Sequence, residues 1–190
     1  MALTNDFELA ERMRLLLSHG ITRDETRMTT VSDGPWYYQQ IALGFNFRMT
    51  DIQAALGLSQ LDRLDDFVEK RREIARGYDE LLTSLPLTIP WQSPDSHSSW
   101  HLYIVLVDSG RICKTRRQVF EGLRSRGIGV NLHYIPVYTQ PYYRQFGFLP
   151  GLCPNAEHYY SQAISLPIFP DLSRVQQQRV VDALTEELLG

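Results

Sequence analysis

Asn46 and Arg48 alternate with three large apolar residues in the stretch GFNFRMTDIQAALG, which covers residues 44–57. An amide and a guanidinium can hold phosphate or carboxylate oxygens through hydrogen bonds, and the guanidinium can do so through two at once. Both residues directly precede a predicted helix, and a helix N-terminus attracts anions. The pattern is compatible with an anion site, and equally with packing and capping at the start of a helix.

The helix that follows carries its own cap. Thr50 and Gln53 form the T-x-x-Q pattern of a capping box, in which each side chain accepts a hydrogen bond from the other residue's backbone. Apolar residues then recur at steps of mostly three or four over residues 50–83, which predicts one long helix or two in series. Pro86 ends this region because proline cannot continue a helix.

Upstream of this helix the sequence predicts a short strand, a helix and a loop. Residues 1–6 are the predicted strand, and Asp6 is a suitable N-cap for a helix that closes at Gly20. Residues 21–43 show little periodicity. A loop of this length is uncommon in a compact domain unless it is functional or flexible, so it is a candidate for a site or an interface.

The remainder of the chain alternates predicted strands and helices. The strands cover residues 100–107 and 128–137, and the helices cover 115–127 and 155–164, with a last helix capped by Ser173. This order predicts an α/β or α+β layered structure.

Composition narrows the range of functions. A net charge of −3 and a pI of about 5.9 argue against nucleic acid or an anionic membrane as the main partner. The sequence has no apolar run of roughly 20 residues and does not begin with a signal peptide. Cys113 and Cys153 are 40 residues apart without C-x-x-C spacing. We therefore expect a reduced, cytoplasmic protein that does not bind a membrane.

Two pairs of residues that contain histidine could carry chemistry. His97 and His101 have no nearby cysteine or carboxylate to complete a ligand set, so we expect no metal site. His133 and Tyr134 close the second predicted strand, ahead of an aromatic loop. From composition alone a buried, hydrogen-bonded histidine is favoured there over a ligand.

The stretch GFNFRMTDIQAALG, followed by LSQL, resembles the signature of the DegT/DnrJ/EryC1 family of nucleotide-sugar aminotransferases. The similarity continues through MALTND, GPWYYQQ, GVNLHYIPVYTQPYYR and SLPIFPDLS, and so covers essentially the whole chain. HGITRD, GPWYYQQ and HYIPVYTQPYYR are most similar to the branch that aminates a UDP-4-keto-6-deoxy-N-acetylhexosamine in the pseudaminic acid pathway. These enzymes use pyridoxal phosphate (PLP) in the aspartate-aminotransferase fold. The resemblance therefore implies an α/β chain with an α+β small domain, forming the C-terminal part of that fold.

The resemblance also implies a domain organisation. Residues 1–43 would be a remnant of the large PLP-binding domain, 44–84 a long interface helix, and 85–190 the small domain. The family lysine that forms the Schiff base with PLP lies before the segment that begins here with MALTND. Lys70 and Lys114 match no such motif. We therefore expect a C-terminal portion that has no catalytic residue, does not bind PLP covalently and is inactive alone.

The resemblance implies a homodimer in which this chain contributes some, but not all, of the residues of an active site. Asn46 would reach the cofactor phosphate of the neighbouring subunit, and Arg48 would belong to the same anionic region. Four aromatic or histidine side chains would lie near the nucleotide-sugar pocket: His133, Tyr134, Trp36 and Tyr37. Glutamate is the expected amino donor of the intact enzyme. The alternative is a non-catalytic module from a truncated reading frame that dimerises or binds nucleotide sugar without turnover.

Overall fold

The computed structural model describes residues 2–190. The chain folds into two compact units, of which the first ends at Leu61 and the second begins at Asp62. The elements of the N-terminal unit are α1 (Phe7–Leu16), β1 (Ile21–Thr22), a 3-10 turn (Glu25–Arg27), β2 (Gln39–Gln40) and α2 (Asp51–Leu61). β1 and β2 pair in antiparallel fashion, so residues 23–38 form the loop of a wide hairpin.

Both predicted N-caps of this unit are confirmed. The Asp6 side chain accepts a hydrogen bond from Leu9 N at 3.0 Å. Gln53 Oε1 accepts from Thr50 N at 3.0 Å, and Thr50 Oγ1 accepts from Gln53 N at 3.3 Å, which completes the capping box. The predicted strand at 1–6 is not seen over residues 2–6, where Asp6 N instead donates to the hydroxyl of Thr4. Met1 lies outside the described residues.

The periodic region 50–83 forms two helices in series, α2 and α3 (Leu64–Leu82). The division between the two units falls in the short break between them. Every residue of α2 stays out of the core, whereas α3 buries one face that includes Tyr78 and Leu82. The apolar stripe is therefore left out of the core in α2 and forms part of the core in α3.

The C-terminal unit contains a three-stranded antiparallel sheet of order β3-β4-β5. Its elements after α3 are β3 (Leu87–Thr88), β4 (Tyr103–Val107), α4 (Arg116–Ser125), a 3-10 turn (Val137–Thr139), α5 (Pro141–Arg144), α6 (Pro154–Gln162), β5 (Ala163–Leu166) and α7 (Arg174–Leu189). Ser173 caps α7 through a complete capping box, as predicted. The predicted helix at 155–164 ends at Gln162, where the chain turns into β5.

The core of this unit lies on one side of β4. Alternate residues Tyr103, Val105 and Val107 are fully buried, as the two-residue period of a strand requires. They pack with side chains from α3, α4 and α7, and the ring centroids of Tyr78 and Tyr103 are 4.9 Å apart. Each buried tyrosine has a partner for its hydroxyl: Tyr78 donates to Pro167 O, and Tyr103 donates to Asp79. The aromatic pair is thus buried without leaving a polar group unpaired.

The prediction of a strand at 128–137 is wrong except at one position. Asn131 and Ser165 exchange two backbone hydrogen bonds, of 3.2 and 2.9 Å, as an isolated bridge. Just before the bridge, Val130 N donates to Ile128 O, so the backbone is used in a tight local turn rather than in a ladder. No helix among residues 2–190 has the length and apolar character needed to cross a bilayer.

A buried carboxylate joins α4 to α7. Glu187, 7% exposed, accepts from Lys114 Nζ at 3.0 Å and from Arg126 Nε at 2.9 Å. A Cβ on Gly122 of α4 would lie 2.3 Å from the carboxyl carbon of Glu187, so glycine at that position makes room for the group. Burial by itself raises the pKa of Glu187, but the hydrogen bonds and charges of Arg126 and Lys114 outweigh it and hold the pKa below its ordinary value.

We expect Glu187→Gln to lower the free energy of unfolding by about 1–3 kcal/mol at neutral pH, because it removes a charged acceptor from two cations. Since the folded pKa is lowered, this stabilisation is present above the unfolded pKa and is lost as pH falls through the folded pKa. Urea unfolding followed by circular dichroism at pH 7 and near pH 3 measures both effects.

Glu121→Gln is the matched control, because Glu121 pairs with Arg117 on an exposed helix face. Such pairs contribute roughly 0.3–0.5 kcal/mol. If both variants lost the same free energy of unfolding at pH 7, the result would contradict a stabilising role for the buried Glu187 carboxylate.

Candidate functional site

Asn46 lies on a segment that pairs with the turn at the end of α1. Asn46 and Ser18 face each other in an isolated antiparallel bridge. Three backbone hydrogen bonds surround it: Phe45 N to Leu16 O at 2.9 Å, His19 N to Phe45 O at 2.9 Å, and Phe47 N to Leu17 O at 3.0 Å. The position of Asn46 is therefore set by backbone pairing and not by its own side chain.

Two glycines permit this pairing. A Cβ on Gly44 would lie 2.4 Å from Gly20 N and 2.5 Å from Leu16 O, closer than atoms can approach. Gly20 itself has φ +70°, and a Cβ there would lie 1.9 Å from Ala42 O. Both backbone segments can meet only because neither residue has a side chain.

Asn46 and Arg48 form an exposed polar pair. Arg48 Nε donates to Asn46 Oδ1 at 3.4 Å, and neither side chain makes another hydrogen bond or salt bridge within residues 2–190. The amide NH₂ of Asn46 and the terminal nitrogens of Arg48 thus remain available as donors. Capping belongs to Thr50 and Gln53, so it does not account for this pair.

Trp36 and Tyr37 lie in the β1–β2 loop and differ in exposure. The Trp36 side chain is 70% exposed, and its ring covers Gly34. Tyr37 is half-buried, and its hydroxyl lies 3.4 Å from Thr30 Oγ1 and 3.3 Å from Gln39 Nε2. These two hydrogen bonds hold the pKa of Tyr37 below its ordinary value.

The loop is braced by the Gln39 side chain. Its Oε1 accepts from Thr29 N at 2.7 Å, and its Nε2 donates to Thr30 O at 3.3 Å. Thr29 and Thr30 are thereby tied to the start of β2, ten and nine residues away in sequence. The aromatic residues of the loop are carried on a folded segment.

His133 and Tyr134 belong to the C-terminal unit. His133 Nδ1 lies 2.7 Å from the hydroxyl of Ser165, whose side chain is buried in β5. Tyr134 is 70% exposed and contacts the His133 ring edge-on, at 4.6 Å between centroids. His133 is half-buried with one ring nitrogen paired, which leaves Nε2 as the nitrogen able to meet a ligand.

Ser165 is a candidate site residue that the sequence analysis did not identify. Its hydroxyl is paired with His133, 32 residues away, and has no other partner among the described residues. The one available signal was a serine inside the otherwise apolar strand AISL. That signal does not reveal the partner, because the contact is long-range.

Both lysines are used in salt bridges. Lys70 Nζ lies 3.0 Å from Asp66 Oδ2, one turn away on α3. Lys114 Nζ lies 3.0 Å from the buried Glu187. Within the described residues, no group of three or more His, Cys, Asp or Glu side chains could hold a metal ion.

The fold matches about half of the fold of solved aminotransferases. Helicobacter pylori PseC, an aminotransferase of pseudaminic acid biosynthesis, matches 97% of this chain over 47% of its own, with 32% identity and a TM-score of 0.84. Streptococcus pneumoniae Spr1654 in its PLP form matches 97% of this chain over 44% of its own, with 28% identity and a TM-score of 0.84. The prediction of a mixed α/β chain forming part of an aminotransferase fold is confirmed.

The chain belongs to the DegT/DnrJ/EryC1/StrS aminotransferase family, whose sequence profile matches residues 1–185. The Bacillus subtilis spore coat polysaccharide biosynthesis protein SpsC is 38% identical over 193 residues, which cover 100% of this chain and 49% of that relative. The chain thus spans about half the length of the curated relatives it matches.

We expect Gly44→Ala to destabilise the N-terminal unit by about 2 kcal/mol, because its methyl group meets backbone atoms that cannot rotate away. Hydrogen exchange at the amides of Phe45 and Phe47, measured by NMR, should become faster. Gly57→Ala is the control, since nothing lies within 4 Å of a Cβ there. It should stabilise α2 by about 0.5–1 kcal/mol. Unchanged exchange in Gly44→Ala would contradict the close approach.

Removal of the Ser165 hydroxyl should change the tautomer of His133. A buried hydroxyl with a single partner is expected to donate its hydrogen to that partner, here Nδ1, which places the imidazole proton on Nε2. In Ser165→Ala, ¹⁵N NMR of the His133 ring should show a mixture of tautomers. Ser161→Ala, whose hydroxyl donates to a helix carbonyl, should leave the His133 signals unchanged. Identical His133 spectra in wild type and Ser165→Ala would show that the hydroxyl does not set the tautomer.

Proposed function

We propose that this chain forms the C-terminal part of a PLP-dependent nucleotide-sugar aminotransferase. The reaction would transfer an amino group from glutamate to the C4 ketone of a UDP-4-keto-6-deoxy-N-acetylhexosamine. Family membership and the similarity to PseC support this choice. The observation that carries it is the Asn46–Arg48 pair, which is fixed by backbone pairing and keeps unused donors.

The donor set suits the phosphate group of PLP. Asn46 supplies two amide hydrogens and Arg48 a planar fork of charged donors, the groups that match phosphate oxygens. In the proposed homodimer, Asn46 serves the cofactor of the partner subunit and Arg48 the same anionic region. PLP, when bound, supplies the electron sink that amino transfer requires.

His133, Tyr134, Trp36 and Tyr37 are proposed to contact the nucleotide sugar. The exposed faces of Trp36 and Tyr134 suit stacking against a base or a sugar ring. The Tyr37 hydroxyl and the free Nε2 of His133 can form directional hydrogen bonds to hydroxyl or phosphate oxygens. Each of the two pairs combines aromatic surface with a fixed polar atom, a combination typical of small-molecule sites.

We propose that the lysine that holds PLP covalently lies outside these 190 residues. Lys70 is paired with Asp66 on a helix surface, and Lys114 is committed to the buried Glu187. Release of Lys114 would leave a buried carboxylate short of one cation, which is costly. The chain would therefore bind and orient ligands without supplying a catalytic residue, and its residues 1–43, 44–84 and 85–190 would act as large-domain, interface and small-domain segments.

A second candidate function is a non-catalytic module that dimerises. The exposed apolar side chains of α2 favour it: Ile52 is 83%, Leu56 62% and Leu58 67% exposed. Exposed apolar side chains in such number commonly mark a protein interface. This candidate shares the homodimer with the leading proposal but predicts no turnover under any condition.

A fusion of the first half of B. subtilis SpsC to this chain tests the leading proposal. The fusion should transfer amino groups from glutamate to the UDP-4-keto sugar, as followed by mass spectrometry of the product. Asn46→Ala should raise the PLP concentration for half-maximal activity by about tenfold, because it removes a hydrogen bond to a charged group. Asn155→Ala, at an exposed position of α6, should leave that concentration unchanged.

The chain alone, mixed with PLP and borohydride, should show no stoichiometric lysine adduct by mass spectrometry. A single lysine fully modified at low PLP would contradict the assignment of both lysines to salt bridges. A folded but inactive fusion would favour the non-catalytic module.

A further inference from the structure

An open cleft of about 540 Å³ lies in the N-terminal unit, next to the segment that carries Asn46. The residues that line it are Ser18, His19, Ile21, Arg23, Tyr38 and Arg48. Arginine, histidine and hydroxyl side chains dominate this lining, and it contains no carboxylate. The cleft is therefore suited to a negatively charged group.

Backbone pairing brings the polar residues of the cleft together. In the β1–β2 register Thr22 faces Gln39, and the next residue on each strand's loop side, Arg23 and Tyr38, lines the cleft. The bridge between Ser18 and Asn46 places Arg48 two residues further along the neighbouring segment. Arg23 and Arg48, 25 positions apart in sequence, thus reach the same cleft from two different segments.

The two arginines of the cleft have no carboxylate partner. Neither Arg23 nor Arg48 forms a salt bridge within residues 2–190, whereas Arg14 and Arg27 of the same unit both pair with Glu11. The carboxylate beside Arg23, that of Asp24, accepts from the backbone and the hydroxyl of Thr26 instead. Two guanidiniums therefore face one cleft without counter-charge.

We propose that Arg23 is a phosphate-binding residue that acts together with Arg48 on one dianionic phosphate or diphosphate group. The proposal rests on the proposed function only in taking Arg48 as an anion ligand, and it adds a second cation from a different segment. Two planar forks can bind several phosphate oxygens at once, and their combined charge of +2 balances a dianion. The Tyr38 and Ser18 hydroxyls offer further donors at the same cleft. The phosphate group would come from the cofactor or from the nucleotide sugar.

Ligand titrations of this 190-residue chain test the proposal. Inorganic phosphate, pyridoxine 5′-phosphate and UDP serve as probes, with binding followed by the NMR signals of the arginine Nε–H groups and by calorimetry. Pyridoxine 5′-phosphate lacks the aldehyde of PLP, so it reports phosphate binding without reaction at lysine. Tighter binding of this probe would assign the cleft to the cofactor, and tighter binding of UDP would assign it to the substrate.

Arg23→Gln should weaken binding of the preferred probe by about tenfold, as expected for loss of a charge-assisted contact. Arg23→Lys keeps the charge but not the planar fork of donors, so its affinity for the probe should lie between those of Arg23→Gln and wild type. Arg12→Gln is the matched control: Arg12 is exposed on α1, outside the cleft, and the change removes the same charge. It should weaken binding by less than about twofold.

Three outcomes would overturn the proposal. One is an equal loss of probe affinity in Arg23→Gln and Arg12→Gln, which would show that only the overall charge of the chain matters. Another is weaker probe binding in Arg48→Gln and Asn46→Ala but unchanged binding in Arg23→Gln. That result would contradict only the role of Arg23 and would remain consistent with the proposed function. The third is no binding of any probe by the wild-type chain at 10 mM, roughly the weakest phosphate affinity that two arginines should provide.

Discussion

The approach of one backbone segment to another at Gly20 and Gly44 is the contact on which the proposed anion-binding residues depend. It lets the segment that carries Asn46 pair with the turn after α1, although neither partner is a regular strand. The required distances leave no room for a side chain, so the contact depends on glycine at both positions. Asn46 and Arg48 can then remain exposed with free donors, because the backbone holds them in place.

The C-terminal unit positions its candidate ligand residue in a similar way. A single bridge joins Asn131 to Ser165, and the same serine places its hydroxyl against His133 two residues further on. In both units an isolated pair of backbone residues fixes a polar side chain without extending a sheet. Short bridges of this kind place side chains accurately while leaving the neighbouring chain free to form a loop, which suits residues that must meet a ligand.

Some charged residues of the chain stabilise the fold, and others are proposed to bind anions. Lys114 and Arg126 hold a buried carboxylate between α4 and α7, and Lys70 is paired on the surface of α3. Arg23 and Arg48 have no such partner in the described residues. This division agrees with a chain that orients anionic ligands and uses its lysines to stabilise the fold.

The sequence by itself determined the features that depend on neighbours within one helical turn. The caps at Asp6, Thr50 and Ser173 were predicted correctly because each hydrogen bond joins residues three positions apart. The family signature around Asn46 was also readable, since its residues are contiguous. The tertiary structure alone decided the rest. Whether 128–137 forms a strand depends on a partner edge, and that edge offers only one bridge at Ser165. Arg23 lines the same cleft as Arg48, 25 residues away, and Ser165 contacts His133, 32 residues away. No local pattern encodes either proximity.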